Sequence, residues 1–220
     1  MDLTIDDYID LLQNGDEHER RNAAFILGRQ RDEQVIQPLI DALKDASADV
    51  RLRVVEALRH LRDDRVVMPF ITRLGDDDPR VRAMAVRALA LQKDYRALLP
   101  FIELLRDGDT QVRSAAVEGL SSLPDERAIP GLVDLMVDDP DDDIRYYAAQ
   151  TLKTIGGESV INMLLVVLLS DPQTDTKQTI AEIFGTLGNP NAQDALSQLA
   201  NDPDEGVSET AKWALTRLKG

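Results

Sequence analysis

The chain has 220 residues, no cysteine and two histidines, and its formal net charge is −15 at pH 7. The lack of cysteine excludes disulfide bonds, a thiol nucleophile and any metal or iron–sulfur site built from thiolates. The acidic balance excludes a general nucleic-acid binder, because phosphate contacts need a basic face.

The sequence predicts no targeting or membrane-spanning segment. Its first ten residues, MDLTIDDYID, lack the basic and apolar regions of a signal peptide. The longest strongly apolar run, MLLVVLL at 163–169, is much shorter than the roughly 20 residues that a transmembrane helix needs. We therefore expect a cytoplasmic protein that contacts neither membranes nor nucleic acid.

An acidic turn followed by an alanine-rich segment recurs along the chain. Seven copies share one anchor position, basic in six of them, at intervals of 31 or 32 residues: Arg20, Arg51, Arg82, Arg113, Arg145, Lys177 and Ser208. Six residues before the anchor, the last six copies carry an aspartate: Asp45, Asp76, Asp107, Asp139, Asp171 and Asp202. Seven residues after the anchor lies a leucine, or Phe184 in the sixth copy. Self-similarity at such a period indicates a repeat architecture.

Each copy predicts two helices, of which the first carries apolar residues at helical spacing, as in VVMPFITRL at 66–74. Four copies place a proline near the start of this helix: Pro38, Pro69, Pro100 and Pro130. A proline is tolerated in the first turn, because that amide has no helical partner, but deeper in the helix it would cause a kink.

The second helix is predicted to begin after the acidic turn. Five copies place an aspartate four residues before the anchor, where it can cap the helix and oppose the positive end of its dipole: Asp16, Asp78, Asp109, Asp141 and Asp204. Gly28, Gly119 and Gly185 lie among the small side chains that follow, so we expect these helices to approach closely. Offsets +3, +6, +7 and +10 from the anchor are predicted to face the core.

The anchor arginines predict a structural ladder. A guanidinium can bind a carboxylate through two parallel hydrogen bonds, so each arginine can bridge to a turn aspartate of its own copy or the next. The predicted ladder consists of Arg51, Arg82, Arg113, Arg145, Asp45, Asp76, Asp107 and Asp139. Lys177 and Ser208 replace the arginine in the last two copies, so we expect the ladder to weaken there.

One such hairpin cannot bury its apolar face, whereas a stack can, so the sequence predicts an all-α helical solenoid. Three segments, DDDPRVRAMAVRAL at 76–89, DGDTQVRSAAVEGL at 107–120 and DPDDDIRYYAAQTL at 139–152, resemble the signature D-x-x-V-R-x-x-A-x-x-A-L. This signature belongs to HEAT-like repeats of the phycobilisome-lyase class. The resemblance runs from about residue 4 to 218 and departs from the pattern in copies one, six and seven.

The resemblance implies a right-handed α-solenoid in one domain over 1–220, with repeats near 1–30, 31–61, 62–92, 93–123, 124–156, 157–188 and 189–220. Some family members join or detach linear tetrapyrroles on phycobiliproteins, others assist iron–sulfur assembly, and many are protein-binding scaffolds. HEAT-like hydroxylases with a di-iron site carry several His–Glu pairs, whereas this chain has only His18–Glu19 and one further histidine, His60. HEAT-like DNA glycosylases are basic, unlike this chain.

No catalytic or metal-binding set emerges from the sequence. The segment DPDDDIRYYAAQ at 139–150 alternates acids as a calcium loop does, but Ile144 replaces the glycine of its sixth place and Gln150 the glutamate of its twelfth. No phosphate-binding glycine loop or nucleophile elbow is present, and no carboxylate pair suggests an acid–base couple. We therefore predict no catalytic residue, no metal and no cofactor.

A binding groove is expected where the second helices face away from the core, at offsets +2, +5 and +9. Side chains there differ between copies, as a surface shaped for an irregular partner would. The candidate partner-binding residues are mainly arginines and aromatic side chains: Arg21, Phe25, Arg53, Arg59, Met84, Arg87, Tyr146, Tyr147, Gln150 and Trp213. In the alternative interpretation, the arginines pair with turn acids, the tyrosines pack under a neighbouring helix, and Trp213 covers the last copy.

Two functions fit these features. The first is a non-catalytic scaffold, monomeric or weakly oligomeric, that binds a partner protein in the groove. The second, implied by the resemblance, is a phycobilin lyase-like or chromophore-detaching factor acting on a phycobiliprotein. Its arginines would hold the propionates of a bilin, and Phe25, Tyr146 or Tyr147 would stack on the pyrrole rings. An accessory role in iron–sulfur assembly stays open as a third.

Overall fold

The computed structural model describes residues 3–30, 32–61, 63–170 and 172–218. All regular structure in these residues is helical, which confirms the all-α prediction. The α-helices form seven pairs: α1 Ile5–Asn14, α2 Glu17–Leu27, α3 Ile36–Ala42, α4 Ala48–Leu58, α5 Val67–Arg73, α6 Pro79–Gln92, α7 Leu98–Leu104, α8 Thr110–Ser122, α9 Ile129–Asp138, α10 Asp142–Ile155, α11 Gly157–Leu169, α12 Thr174–Leu187, α13 Gln193–Leu199 and α14 Glu205–Leu218. No helix in the described ranges is long and apolar enough to cross a membrane.

The helix pairs belong to two compact units. Met1–Leu123 contains the first four pairs, and Pro124–Gly220 contains the last three. Within each unit, the second helix of one pair packs on the second helix of the next: α2 on α4, α4 on α6 and α6 on α8 in the first unit, and α10 on α12 and α12 on α14 in the second. Each unit is therefore a stack of helix pairs, and a single domain over 1–220 stays a prediction.

A short 3-10 turn leads into the first helix of five pairs. The residue before each turn caps it, because its side-chain oxygen accepts a hydrogen bond from the backbone amide two residues further on. These capping residues are Asp32, Asp63, Asp94, Asp125 and Asn189. The prolines follow within the first helical turn: Pro38, Pro69 and Pro100 are third in their helices, and Pro130 is second. The first-turn prediction is confirmed, but the sequence analysis missed this second column of caps, whose members recur every 31 residues from Asp32 to Asp125.

The predicted caps of the second helices are confirmed. The aspartate before the helix accepts an amide of the first turn at Asp16, Asp78, Asp109 and Asp141. Asp204 does the same for the amide of Val207 at 3.0 Å. Each bond satisfies a donor that has no partner within the helix, so the position where the second helix begins is fixed locally.

The core is built from four offsets of the second helix, of which the predicted offset +6 is buried in six copies: Ala57, Ala88, Gly119, Thr151, Ile183 and Ala214. The side chain at +3 is buried in all seven copies, and the large apolar side chain at +7 is buried in six. Offset +10 is fully buried only at Leu123, so that part of the prediction is wrong. Offset +4, not predicted, is buried in six copies instead: Ala24, Val55, Val86, Val117, Ala149 and Ala181. This side is buried because successive second helices pack against each other.

The glycines of the second helices mark close approaches, as predicted. A Cβ on Gly28 would lie 2.4 Å from the Cβ of Ala57, so α2 and α4 nearly touch at their backbones. A Cβ on Gly119 would lie 2.7 Å from the ring of Phe101, which is fully buried between α7 and α8. Any side chain at these positions would force the helices apart.

Within the first unit, the arginine ladder joins each copy to the next. Nε and Nη2 of Arg51 donate to the two carboxylate oxygens of Asp76, 25 residues further on, at 2.9 and 2.7 Å. Nη1 of Arg51 donates to the backbone carbonyl of Asp45 in its own turn at 2.9 Å. One side chain thus connects two successive turns. The same two-point contact joins Arg20 to Asp45 and Arg82 to Asp107.

The contact within a copy's own turn recurs at the next two arginines. Nη1 of Arg113 donates to the carbonyl of Asp107 at 3.1 Å, and Nη1 of Arg145 donates to that of Asp139 at 2.8 Å. Asp171, the predicted next aspartate, lies outside the described residues. Further on, Lys177 lies 3.6 Å from Asp202, and the Ser208 hydroxyl donates to the carbonyl of Ala200. A longer lysine ion pair and a neutral hydrogen bond are weaker contacts than the arginine fork.

The ladder aspartates ionise readily although they are partly or fully buried. Burial opposes ionisation of Asp45, Asp76 and Asp107, but hydrogen bonds from the ladder arginines and from backbone amides outweigh it, so the pKa of each carboxyl lies below its usual value. At the caps of the 3-10 turns, the hydrogen bond from the arginine two residues on is the main cause that lowers the pKa of Asp63 and of Asp125 to about 2.

We expect the protein to lose stability in acid. A carboxyl with a lowered folded-state pKa stabilises the fold fully above its unfolded value, near 3.8, and this contribution disappears as the pH falls through the folded-state pKa. The free energy of unfolding, measured by urea titration, should therefore fall between about pH 4 and pH 2. Asp76→Asn should show a smaller fall over this range than the wild type. Equal stability at pH 4.5 and 2.5 would contradict the assignment.

Candidate functional site

Most predicted groove positions are accessible in the structure. No side chain at offset +5 or +9 is buried in any copy. The prediction is wrong at offset +2 in the fourth copy, because Ala115 is fully buried, at 0% exposure. A methyl group is small enough to be covered by the neighbouring second helix, so this copy offers no side chain at that place.

An arginine cluster surrounds Phe25 on the first unit; we use this name for Arg21, Arg29, Arg53 and Arg59. Phe25 is 44% exposed, although aromatic side chains are usually covered. The guanidinium carbons of Arg29 and Arg53 lie 5.4 and 5.5 Å from the centre of its ring. Both are within cation–π distance, so the arginines hold the ring while part of it stays accessible.

Three adjoining cavities open around the arginine cluster. The first, of about 200 Å³, is lined by His18, Arg21 and Phe25 among others. The second, of about 380 Å³, is lined by Phe25, Arg29, Arg53, Arg59 and His60. The third, of about 270 Å³, lies beside Arg21 and Arg53. Arg53 lines all three, so the cavities adjoin at this side chain, and we call them together the recess on α2 and α4.

The acids beside the recess are already paired with arginines. Nη1 of Arg53 donates to Glu56 at 2.6 Å, and Asp49 lies 2.9 Å from Nη2 of Arg80. Arg21, Arg29 and Arg59, by contrast, have no carboxylate within salt-bridge distance among the described residues. The alternative that the groove arginines pair with turn acids therefore does not hold for these three. The recess keeps an excess of positive charge within an acidic chain.

Neighbouring side chains orient Arg59, which lies at the edge of the arginine cluster. Nε of Arg59 donates to Nε2 of His60 at 3.0 Å. Nη1 of Arg59 also lies 3.8 Å from the sulfur of Met84, a weak acceptor on the next second helix. Arg87, on the same helix, is 3.6 Å from Glu118. The charge of Arg87 is therefore partly balanced, and the free positive charge is concentrated on α2, α4 and the turns that follow them.

The second unit carries the predicted aromatic positions. Tyr146 and Tyr147 are 58% and 55% exposed, and their rings meet edge to face with centres 5.4 Å apart. The alternative that they pack under a neighbouring helix is therefore wrong. Gln150, one turn further along α10, is half-buried. Trp213 is also partly exposed and lies against Gly185 of the preceding second helix, where a Cβ would come within 2.6 Å of the indole ring.

The sequence analysis missed two members of the first-unit recess. Arg29 stands at offset +9 of the first copy, so the column contained it, but its position over Phe25 depends on the end of α2. His18 lies in the first turn of α2, before the anchor, and no repeat column pointed to it. Within the described residues, no group of three or more His, Asp or Glu side chains is arranged to hold a metal ion.

A comparison with protein-family models decides the family. The model for HEAT repeats matches residues 5–77, 67–153 and 161–220, which together cover most of the chain. The chain is a HEAT-repeat protein. This confirms the resemblance found in the turn and anchor residues, all of which have structural roles in caps, ladder or core. No curated protein sequence matches this HEAT-repeat chain.

Solved structures confirm the α-solenoid class and include a phycocyanin lyase complex. The complex of CpcE and CpcF of phycocyanin lyase from Nostoc sp. PCC7120 is 26% identical, with a TM-score of 0.62 over 99% of this chain and 88% of that chain. Kap95p, solved with RanGDP, is 17% identical, with a TM-score of 0.75 over 96% of this chain and 34% of that one. A designed armadillo repeat protein in complex with the peptide (KR)4 is 21% identical, with a TM-score of 0.55 over 98% and 99% of the two chains. The last two likenesses concern the fold alone.

These comparisons support a scaffold or lyase-like role for the HEAT-repeat protein. A fold of stacked helix pairs does not define a reaction, so the function has to be argued from the surface residues.

Proposed function

We propose that this HEAT-repeat protein is a non-catalytic module that binds a partner protein through the second helices of its first unit. The main support for this proposal is the exposed ring of Phe25. Two guanidiniums flank the ring, and the neighbouring arginines Arg21, Arg29 and Arg59 have no carboxylate partner among the described residues. Aromatic and arginine side chains are the commonest anchors of protein interfaces. A ring held in place by its neighbours also loses little conformational freedom on binding.

The rest of the second-helix face fits the same role. Met84 and Arg87 extend the surface along α6, and the side chains at offsets +5 and +9 differ from copy to copy. Tyr146, Tyr147, Gln150 and Trp213 form a comparable set on the second unit. The constant offsets lie in the core, where they maintain the fold, whereas the variable offsets are accessible to a partner.

A photo-crosslinking experiment in cells of the source organism tests the proposal. A photoreactive amino acid placed at Asn22, which is exposed beside Phe25, should yield a discrete protein adduct. The matched control places it at Met68, which is similarly exposed but lies on the first helix α5. Arg53→Glu should reduce the Asn22 adduct by about tenfold, the loss typical of an interface anchor. Equal adducts from Asn22 and Met68 would refute the proposed surface.

A second candidate function is a lyase-like or chromophore-detaching role on a phycobiliprotein. It is favoured by the 26% identity to the phycocyanin lyase complex over almost the whole chain. In this role the cluster arginines would bind the propionates of a bilin, and Phe25 or the tyrosine pair would stack on its rings. The absorption spectrum of a bilin should then change on mixing with the protein, less so for Phe25→Ala. An unchanged spectrum, with and without a phycobiliprotein, would exclude this role.

A further inference from the structure

The arginine cluster is a local reversal of charge in an acidic protein. The chain carries 40 acidic against 25 basic residues, yet the recess around Phe25 contains four arginines. Its two acids, Glu56 and Asp49, are each held by an arginine at 2.6 and 2.9 Å. An unbalanced group of cations at one recess attracts anions at short range, while the distant charges of the chain are screened beyond about 8 Å at physiological salt.

We infer that the arginine cluster recognises an acidic segment of the partner protein, in which carboxylates flank one apolar side chain. This inference rests on the proposed function and names the partner's chemistry. Carboxylates of the segment bind Arg21, Arg29 and Arg59, because these guanidiniums have no carboxylate partner among the described residues. The guanidinium fork suits this task, since it presents two parallel donors to a carboxylate.

The apolar side chain of the segment packs on Phe25. Phe25 lines both of the first two cavities, of about 200 and 380 Å³, so a side chain bound in either one can contact the ring. Arg29 and Arg53 lie over the ring, so a carboxylate next to that side chain would come close to a guanidinium. The arrangement therefore favours an apolar residue with acidic neighbours over a uniformly acidic run.

A nucleic acid fits this recess less well than an acidic peptide. The free arginines are confined to α2, α4 and the turns that follow them, whereas a nucleic acid needs an extended basic stripe. Along the next second helices, Arg87 is balanced by Glu118 at 3.6 Å. A strand leaving the recess in that direction would therefore meet a carboxylate.

Calorimetric titration of the full chain tests the inference with defined probes. The first is an acetylated ten-residue peptide with one central phenylalanine flanked by glutamates. The second has every glutamate replaced by glutamine, and the third is a ten-nucleotide oligothymidylate. We expect the glutamate peptide to bind at least about tenfold more tightly than the other two, and its affinity to fall as NaCl is raised from 50 to 300 mM, since screening weakens ion pairing.

Charge-reversal variants test whether the peptide binds in the recess. Arg29→Glu and Arg59→Glu should each weaken the glutamate peptide by about tenfold, and Phe25→Ala should weaken it by a similar factor. Lys44→Glu is the matched control, because it changes the net charge equally at an exposed site in the turn between α3 and α4; it should change the affinity by less than about twofold. Unchanged circular dichroism shows that each variant is folded.

The outcomes separate this inference from the proposed function. Equal binding of the glutamate and glutamine peptides, tighter binding of oligothymidylate, or no binding of either peptide at millimolar concentration would overturn the acidic-segment inference. A partner adduct at Asn22 would in each of those cases still support the protein-binding module. Peptide binding without any adduct at Asn22 would instead refute the proposed function and leave the recognition chemistry standing.

Discussion

Replacing Arg51 by methionine is expected to lower the free energy of unfolding by about 3 kcal/mol, the low end of the range for breaking a buried ion pair. The side chain of Arg51 is 8% exposed and that of Asp76 is 1% exposed. Without Arg51, the carboxylate of Asp76 stays buried and loses its two-point contact. Arg73, which donates to Asp76 at 3.2 Å, limits the loss. Urea unfolding at pH 7 measures the change.

The matched control for this prediction is Arg80→Met. Arg80 also binds two aspartates, Asp78 and Asp49, but its side chain is 53% exposed, so water screens and replaces the contacts. This variant should not change the unfolding midpoint measurably. Arg51→Met combined with Asp76→Asn should be more stable than Arg51→Met alone, because the amide removes the buried charge and keeps an acceptor for the turn. Equal losses for Arg51→Met and Arg80→Met would show that burial does not matter here.

Gly28→Ala is expected to cost about 2–3 kcal/mol of unfolding free energy. The new Cβ would lie 2.4 Å from the Cβ and 2.7 Å from the Cα of Ala57, so the backbone of α4 must move. Gly28 and Ala57 both line the cavity that contains Arg29 and Arg59. The same variant should therefore weaken binding of the glutamate peptide, because the shift changes the spacing of the cluster. Thermal unfolding and calorimetric titration measure the two effects.

Gly108→Ala is the control for this substitution. A Cβ on Gly108 meets nothing within 4 Å, so alanine there should leave stability unchanged or raise it by a few tenths of a kcal/mol through the unfolded state. Combining Gly28→Ala with Ala57→Gly removes one of the two close contacts. The double variant should therefore lose less than the sum of the single losses. Strict additivity would mean that the two positions are not in contact.

The ladder has a consequence for function. In the first unit, Arg20, Arg51 and Arg82 each tie the turn of their own copy to the turn of the next, so the second helices of these copies are fixed relative to one another. Arg29 on one copy and Arg59 on the next can then lie at a defined separation around Phe25. A recess that is already organised binds with a smaller loss of conformational entropy than one that forms on binding. The buried ion pairs therefore support the surface as well as the stack.

The sequence alone predicted the local parts of this structure. The period of 31 or 32 residues, the two helices per copy, the caps at Asp78 and Asp109 and the first-turn prolines all follow from short-range rules. Each involves contacts within a few residues, such as a side-chain oxygen and the amide two or three positions on. The family resemblance was carried by the same residues, which is why it indicated the fold more clearly than the function.

Contacts between copies could be decided only by the tertiary structure. The burial of offset +4 and of Ala115 depends on how closely neighbouring second helices approach, which is set by contacts such as Gly28 with Ala57. The excess of positive charge in the recess could not be predicted from the sequence either. The sequence does not show that Asp49 pairs with Arg80 and that Arg21 is left without a carboxylate partner among the described residues. Residues about 30 positions apart meet only when the copies stack, so the repeat determined the fold, and the stacking geometry decided which side chains remain available for binding.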